Sequence, residues 1–372
     1  MKLIHIADLH LGKMLHQYSL IDIQKELLDQ IMTFANENDV DGLIIAGDIY
    51  DHSIPSQEAV NLLNTFLNQL ITVYHKKVYM ISGNHDSSDR LNFASRILEN
   101  QGLYIATHLH EEIHFVQEGD TRIYLLPFVK PSTIHHLFED APNENYNEAL
   151  QYYLSKQKID DHYNNILVTH QFVGHASQTS DSELTLSVGG TEVIDPDIFS
   201  SFDYVALGHL HAPQYVKRET IRYSGSLARY SFDEVHQEKG FVFINTEDMS
   251  YQIIPLKPTI DVAVYRGRYE DFLKGQIIER KEDLLSIELT DDKIIPHAID
   301  QLRFLYPHVL QLTYPHMLES NNLSLKHIEK IEKMDLVDLY KDFYEAMTSQ
   351  SLETQEETII KELLEGGEKH EA

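Results

Sequence analysis

The stretch MKLIHIADLHLGK at residues 1–13 begins the chain with a short apolar run that ends at Asp8 and His10. Four similar β-branched or aliphatic runs follow, at residues 43–46, 78–82, 166–169 and 204–207. Longer segments with helical spacing, such as residues 58–72, lie around them. Short apolar runs that alternate with helices predict an α/β layered fold whose strands are buried on both faces.

Side chains that commonly bind metal ions follow each of these runs. They are Asp8, His10, Asp48, Asn84, His85, His170, His209 and His211. In open α/β sheets the active site lies beyond the carboxyl ends of the strands, so we expect these residues to converge. A single strand-end Asp is more often a turn former and a single His more often an ordinary surface or core residue, but the combination indicates a metal site.

The donor types restrict the metal. The chain has no cysteine, so thiolate zinc sites, disulfides and cysteine nucleophiles are excluded. Carboxylate, amide and imidazole ligands suit manganese, iron or zinc better than calcium or copper. Two such ions about 3.5 to 4 Å apart can clamp the attacking and leaving oxygens of an in-line phosphoryl displacement.

Composition adds two expectations. At 372 residues the chain is long enough for two or three folded units, and neither a signal-peptide core nor a membrane-spanning stretch is evident, so we expect a cytoplasmic protein. The formal net charge of −29 is opposite in sign to that of most nucleic-acid binders. If the substrate is DNA, we expect metals, local patches and a partner to attract it.

The pattern changes after residue 255. Predicted strands at residues 284–289 and 309–312 flank a predicted helix at residues 297–305. The acidic segment from residue 319 then carries an apolar stripe at helical spacing, and a second helix is predicted to start at Thr354. A terminal helical hairpin on its own domain and a docking element for another chain explain this segment equally well. The residues of the stripe and of the second helix are Leu336, Leu339, Tyr340, Phe343, Met347, Ile359, Ile360, Leu363 and Leu364.

Five motifs, taken in order, resemble those of the calcineurin-like metallophosphoesterases. They are HIADLHLGK at residues 5–13, AGDIYD at 46–51, ISGNHDS at 81–87, THQFVG at 169–174 and DYVALGHLHAPQ at 203–214. Together with YSGSLARYSFDE at residues 223–234, they are most similar to bacterial nuclease subunits that work with an SbcC-type ATPase. The resemblance covers the first two thirds of the chain strongly and the later segments more loosely.

The resemblance implies a role for each strand-end residue. Asp8, His10 and His211 would bind the first metal, Asn84, His170 and His209 the second, and Asp48 would bridge the two metals, most often Mn²⁺ in this family. His85 would be the acid that protonates the leaving 3′ oxygen or stabilises the transition state, with Asp51 hydrogen-bonded to it as orienter. Asp86 is better explained as a helix cap, and Arg229 either as a phosphate contact or as the partner of Asp233 or Glu234.

The resemblance also implies an organisation. Residues 1–257 would form the nuclease domain, a metallophosphoesterase β-sandwich flanked by helices, residues 258–317 a small α+β capping domain that contacts DNA, and residues 318–372 a linker and helical hairpin that binds the ATPase. The activity would be 3′ to 5′ double-strand exonuclease and single-strand or hairpin endonuclease, in DNA end processing during repair, recombination and replication. The family further suggests a homodimer, and hence a heterotetramer with the ATPase.

Two rival functions remain. One is another enzyme of the superfamily, a phosphatase or a cyclic-nucleotide phosphodiesterase. Such phosphatases tend to place an Arg beside the GD and GNH motifs, and GDIYDHS and SGNHDS contain none. The other is a non-catalytic scaffold for an ATPase, which the complete ligand set disfavours.

Overall fold

The computed structural model describes residues 1–174 and 193–315. Met1–Glu288 and Ile295–Thr313 form one compact unit. Within the described ranges, no helix combines the length and the apolar character that a membrane crossing needs. The predicted helices after residue 318 lie outside the described residues.

The strands are β1 (Lys2–Ile6), β2 (Met14–Leu15), β3 (Tyr18–Ser19), β4 (Gly42–Ala46), β5 (Lys77–Ile81), β6 (Leu103–Ala106), β7 (His114–Glu118), β8 (Thr121–Leu126), β9 (Asn164–His170), β10 (Tyr204–Gly208), β11 (Gln214–Val216), β12 (Arg218–Tyr223), β13 (Gly240–Asn245), β14 (Ser250–Pro255), β15 (Val262–Gly267), β16 (Leu284–Leu289) and β17 (Val309–Thr313). The helices are α1 (Ile21–Glu37), α2 (Gln57–Asn68), α3 (Ser88–Leu91), α4 (Ser95–Leu98), α5 (Pro131–Leu137), α6 (Tyr146–Ser155), α7 (Tyr269–Leu273) and α8 (Ala298–Arg303). A π-helical turn, Gln69–Val73, extends α2.

Two six-stranded sheets pack face to face. One has the order β14-β13-β1-β4-β5-β6 and the other the order β11-β12-β10-β9-β8-β7. The central strands of each sheet are parallel, whereas β13, β14, β7 and β11 pair antiparallel with their neighbours. The fold is therefore a mixed α/β arrangement of two mixed sheets flanked by helices, in line with the predicted layers.

Alternation along β4 shows why its sequence is apolar throughout. Ile44 and Ala46 belong to the core between the two sheets, while Leu43 and Ile45 belong to the core under the helices. In the second sheet, Ile166 on β9 likewise faces the inter-sheet core. Strands that are covered on both faces are mainly apolar on both, which is the pattern that predicted them. The buried His5 on β1 is an exception whose ring nitrogens lie within hydrogen-bond distance of Tyr204 and of the main-chain oxygen of Leu207.

The carboxyl ends of the parallel strands determine where polar side chains gather. The strands β1, β4 and β5 pair in parallel in one sheet, and β9 and β10 pair in parallel in the other. The loops that follow these strands therefore lie at one edge. The two sheets are joined there directly, because Nδ1 of His170, at the end of β9, lies 2.8 Å from the main-chain oxygen of Ala46, at the end of β4.

The segment after residue 255 contains the predicted strands and helix. β16 and β17 lie at the predicted positions and pair in parallel, with α8 between them in the chain. The sequence did not predict β15 and α7, and β15 completes a three-stranded sheet of order β15-β16-β17. Val262 and Leu284 pack into the core under the helices of the sandwich, so this small sheet is attached by apolar contacts.

Shortening a side chain between the sheets should destabilise the protein strongly. Ile166→Ala removes a fully buried side chain, and such truncations cost about 2–5 kcal/mol of the free energy of unfolding. Ile54→Ala is the matched control, because Ile54 is 73% exposed and should change that free energy by less than about 0.5 kcal/mol. Urea unfolding followed by circular dichroism measures both. Equal effects of the two substitutions would contradict the sandwich core.

Candidate metal centre

The first ligand loop holds its shape through main-chain bonds to the second. The amide of Asp8 donates to the oxygen of Gly47 at 3.1 Å, and the amide of His10 donates to the oxygen of Asp48 at 3.0 Å. Asp8, His10 and Asp48 have φ angles of 52°, 42° and 49°, and His209 has 110°. Non-glycine residues adopt such angles rarely and at a cost, so the surrounding bonds hold four candidate ligands in strained conformations.

Two glycines let these loops approach one another. A Cβ atom on Gly83 would lie 2.1 Å from Oδ1 of Asp48, and one on Gly208 would lie 2.0 Å from the main-chain oxygen of Ala46. Either side chain would force the loops apart. The GN and GH dipeptides in the motifs are thus explained by the lack of space for a side chain next to the site.

The first group of candidate ligands comprises Asp8, His10 and His211. One possible ligand atom from each lies within 4.8 Å of the others, and all three residues are buried. Nε2 of His10 and Nε2 of His211 face each other at 3.2 Å. Two ring nitrogens that point at one place suit a shared cation better than a direct hydrogen bond.

The second group comprises Asn84, His170 and His209. Oδ1 of Asn84 lies 3.0 Å from Nε2 of His170 and 3.2 Å from Nδ1 of His209. The His170 and His209 rings are 5.3 Å apart and nearly perpendicular. The amide oxygen and both rings therefore meet at one point.

Asp48 stands between the two groups. Its Oδ2 lies 3.6 Å from Nε2 of His10 and 3.4 Å from Nε2 of His170. Its Oδ1 accepts the main-chain N–H of His85 at 3.0 Å. A single carboxylate oxygen thus faces both histidine groups, while the second oxygen holds the GNH loop.

The electrostatics of the pocket favour bound cations. Asp8, Asp48 and His170 are almost completely buried, and buried carboxylates need compensating charge. Burial lowers the pKa of His170, but the charges of Asp48 and Asp8 outweigh it and raise the pKa to about 9. Burial lowers the pKa of His10 to about 4 and that of His209 to about 3, which keeps both rings neutral and able to bind metal. The donor set and its charge therefore fit two divalent ions.

His85 lies beside the ligands with part of its side chain in solvent. Its Nδ1 lies 3.1 Å from the main-chain oxygen of Asp51, and its Nε2 lies 4.0 Å from Oδ2 of Asp48. A carbonyl oxygen only accepts, so Nδ1 carries a hydrogen and Nε2 is left to take or give a proton toward the site. The side chain is 38% exposed, which leaves room for a substrate.

The side chain of Asp51 does not orient His85 as predicted. Its carboxylate pairs with Lys13 at 2.9 Å and lies 3.5 Å from Nδ1 of His10, while the main-chain oxygen makes the bond to His85. Burial raises the pKa of Asp51, but His10 and Lys13 outweigh it and lower the pKa to about 2. The loop thus positions His85, while the Asp51 carboxylate lies beside His10 without a hydrogen bond to its Nδ1.

Asp86 is not the helix cap that its position suggested. Its carboxylate accepts the main-chain N–H groups of Gly83, Ile49 and Tyr50 at 2.9 to 3.1 Å, tying the GNH loop to the GD loop. Ser87 precedes the first residue of α3 instead. Arg229 pairs with Asp261 and with the main-chain oxygen of Gln237 instead of the predicted acidic partners, and its contact with a phosphate stays a prediction.

Two further buried residues support the candidate ligands, Glu234 at the end of YSGSLARYSFDE and Gln24 on α1, and sequence reasoning missed the role of both. Glu234 accepts from Nδ1 of His211 at 2.9 Å. The Gln24 side chain donates to the main-chain oxygens of Leu9 and His10 and accepts from the N–H of Gly12. A polar residue on an otherwise apolar helix face, such as Gln24 on α1, is the one signal that the sequence offered.

Comparison with known proteins agrees with this geometry. The family model described as calcineurin-like phosphoesterase matches residues 1–213, and the one described as type 5 capsule protein repressor C-terminal domain matches residues 258–348. The SbcD subunit of the nuclease SbcCD from Staphylococcus epidermidis is 37% identical over 370 residues, covering 98% of both chains. Its counterpart from Staphylococcus saprophyticus is 35% identical over 378 residues, covering 99% of this chain and 100% of the relative. The chain therefore belongs to the calcineurin-like phosphoesterases and, within them, to the family of SbcD nuclease subunits.

Proposed function

We propose that the protein is a metal-dependent DNA nuclease that hydrolyses phosphodiester bonds at the site around Asp48. The observation that carries this proposal is the position of Oδ2 of Asp48, which faces His10 of one ligand group and His170 of the other. The names of the two staphylococcal relatives support a nuclease over other phosphoesterases. The enzyme would cut DNA ends and hairpins during repair, recombination and replication.

The candidate ligands would form two metal positions. Asp8, His10 and His211 hold one divalent ion, Asn84, His170 and His209 the other, and Asp48 is shared. Two ions bound there supply the positive charge that stabilises the attacking and leaving oxygens of an in-line displacement. Manganese is the metal we propose, from the mixed oxygen and imidazole donors.

His85 would protonate the leaving group. Its Nε2 faces the site while Nδ1 is fixed on the Asp51 oxygen, so the ring can deliver a proton to the departing 3′ oxygen without turning. Part of the ring is exposed, so a nucleic-acid strand can reach it. Asp51 would act through its main-chain oxygen on His85 and through its carboxylate on His10.

A phosphomonoesterase is the second candidate, since the same superfamily contains phosphatases. Binding of a phosphate dianion calls for a strong cation beside the metals. The charge of Lys13, beside the first group, is engaged by Asp51 at 2.9 Å, but Lys130 lines the cavity next to Asn84 and His209. Because GDIYDHS and SGNHDS contain no Arg that could hold a dianion, a diester with its single charge is the substrate we favour.

A cleavage assay distinguishes the two candidates. Blunt and hairpin DNA duplexes, labelled at either end, are incubated with the protein and Mn²⁺, in parallel with para-nitrophenyl phosphate. We expect loss of label from the 3′ end and opening of the hairpin. Hydrolysis of the phosphomonoester without cleavage of either duplex would contradict the nuclease assignment.

The acidic composition favours a partner that brings long DNA to the site. With a formal net charge of −29, the chain offers DNA little non-specific attraction. We propose that an SbcC-type ATPase supplies the basic channel and binds residues 318–372. Residues 258–317 would form a capping domain that contacts DNA, and the nuclease domain, residues 1–257, would form a homodimer. The assembly would then be a heterotetramer.

Deletion of residues 336–364 tests the partner. The apolar stripe in this segment is expected to dock on the coiled-coil base of the ATPase, so the truncated chain should fail to co-purify with it. The truncated chain should keep its Mn²⁺-dependent cleavage of short duplexes, which controls for misfolding. Undiminished co-purification would place the ATPase interface elsewhere.

A further inference from the structure

The two candidate metal positions differ in what lies behind their histidines. His10 and His211 each direct Nε2 into the first group, where the two nitrogens are 3.2 Å apart. Behind each ring, the other nitrogen faces a carboxylate. Nδ1 of His211 lies 2.9 Å from Oε1 of Glu234, and Nδ1 of His10 lies 3.5 Å from Oδ1 of Asp51.

A lysine holds each of these carboxylates. Nζ of Lys239 lies 2.7 Å from Oε2 of Glu234, and Nζ of Lys13 lies 2.9 Å from Asp51. Lys239 also donates to the main-chain oxygen of His211 at 2.9 Å, so it secures the ligand and its supporting carboxylate together. The order of lysine, carboxylate and histidine therefore occurs twice around one metal position, but only His211 is hydrogen-bonded to its carboxylate, since Nδ1 of His10 makes no hydrogen bond in the described residues.

The second group lacks this arrangement at His170. Nδ1 of His170 lies 2.8 Å from the main-chain oxygen of Ala46, and the described carboxylate nearest to that nitrogen, Asp8, is 4.0 Å away. Asn84 is neutral, whereas the first group has the carboxylate of Asp8 among its own ligands. Asp8 also lies near the second group, because one of its oxygens is within 4.8 Å of ligand atoms of Asp48 and His170 and both accept the main-chain N–H of His209. With Asp8 assigned to the first group, the second position has only the shared Asp48 as a carboxylate ligand among the described residues.

A carboxylate behind a ligating histidine matters for affinity. It fixes the tautomer and the orientation of the ring and makes the inward nitrogen a stronger donor, and its loss typically weakens metal binding about 10- to 100-fold. Glu234 and Lys239 are both buried, and such an ion pair seldom repays its desolvation in stability alone. A role in metal binding accounts for their presence.

We propose that the two metal positions have unequal affinity and fill in order. The position of Asp8, His10 and His211 binds first, and Glu234 and Lys239 set its affinity by holding His211. Glu234 is in this sense a positioning residue, and the inference rests on the ligand assignment of the proposed function.

Calorimetric titration of the metal-free, full-length protein with Mn²⁺ tests the order without DNA. We expect two steps, the tighter of which survives in His170→Ala and is lost in His211→Ala. Retention of the tight step in His211→Ala would overturn the inference and leave the proposed function standing. Wild-type protein that binds fewer than two Mn²⁺ ions would instead overturn the ligand assignment itself.

Glu234→Gln tests the supporting carboxylate. The amide oxygen can still accept from His211, so the ring keeps its partner while the charge is removed, although the amide nitrogen then faces the donors Lys239 and the main-chain N–H of Tyr230. We expect the tight step to weaken about 10- to 100-fold and the weaker step to stay within about threefold. Asp51→Asn should act on the same step, through His10.

Glu118→Gln is the matched control, because Glu118 pairs with Lys77 on β5 and contacts none of the candidate ligands. It should change neither step. Thermal unfolding in EDTA verifies that Glu234→Gln folds, and Glu234→Asp, which restores the charge, should recover part of the affinity. An equal loss at both steps in folded Glu234→Gln, or no loss at either, would refute the role of Glu234.

Discussion

Replacing Asp48 with alanine is expected to abolish nuclease activity, with a fall in turnover of about 10³-fold or more. Oδ2 of Asp48 faces both histidine groups, so its loss weakens both metal positions at once. Metal ions in such sites typically stabilise the transition state by several kcal/mol, and a loss of roughly 4 kcal/mol slows a reaction about 10³-fold. Single-turnover cleavage of a labelled hairpin duplex in Mn²⁺ gives the rate.

Asp48→Asn separates charge from shape. Asparagine can still accept the N–H of His85, which Oδ1 of Asp48 accepts at 3.0 Å, but it brings no charge to the metals. We expect it to be nearly as inactive as the alanine variant. Asp29→Ala is the control, because the Asp29 side chain on α1 is 48% exposed and forms an ion pair with Lys25, away from the candidate ligands. Full Mn²⁺-dependent cleavage by folded Asp48→Ala would point to a contaminant or to a different site.

The convergence of the candidate ligands near strand ends was predictable because two simple patterns coincide there. An apolar strand and the ligand after it are adjacent in sequence, and parallel pairing brings the ends of β1, β4 and β5 to one edge. No tertiary detail is needed for that inference. The same reasoning located β16 and β17 from their apolar runs, but it missed β15, whose exposed positions interrupt the pattern.

The supporting residues were not predictable in this way. Glu234 lies 23 residues beyond His211, on a 3-10 turn at Phe232–His236, and only the fold brings its carboxylate to the ring. Asp86 looked like a cap because it precedes a helix, yet the free N–H groups of the GD loop compete for its carboxylate. Asp51 was expected to act on His85 by its side chain, but Lys13 and His10 attract that carboxylate instead.

The π-helical turn is another feature that the sequence pattern did not predict. The apolar spacing predicted one helix over residues 58–72, and the structure has α2 as Gln57–Asn68 followed by Gln69–Val73 in π-helical form. Ser56 accepts the N–H of Ala59 and so begins α2 where a capping residue is expected. Periodicity thus locates the helix and its start, while the change in winding near its end depends on packing that a pattern does not contain.

Replacing His85 with alanine should separate chemistry from metal binding. His85 directs Nε2 toward the site from a partly exposed ring, and its Nδ1 is fixed by the main-chain oxygen of Asp51. Loss of a positioned proton donor costs about 10²- to 10⁴-fold in the chemical step. Because His85 is outside both ligand groups, Mn²⁺ affinity measured by calorimetry should stay within about threefold of the wild-type value.

A second variant, His85→Asn, separates positioning from proton transfer. Its side-chain amide can still donate to the oxygen of Asp51, which Nδ1 of His85 reaches at 3.1 Å, but it cannot transfer a proton. If proton delivery is the role of His85, both variants lose cleavage to a similar extent, and a substrate whose leaving group needs no proton, such as a para-nitrophenyl phosphodiester, should lose far less. His162→Ala, at an exposed histidine paired with Asp160, should behave as wild type. A parallel loss of Mn²⁺ binding in the two position-85 variants would make His85 a metal ligand instead, and an equal loss on both substrates would assign it to binding the phosphate.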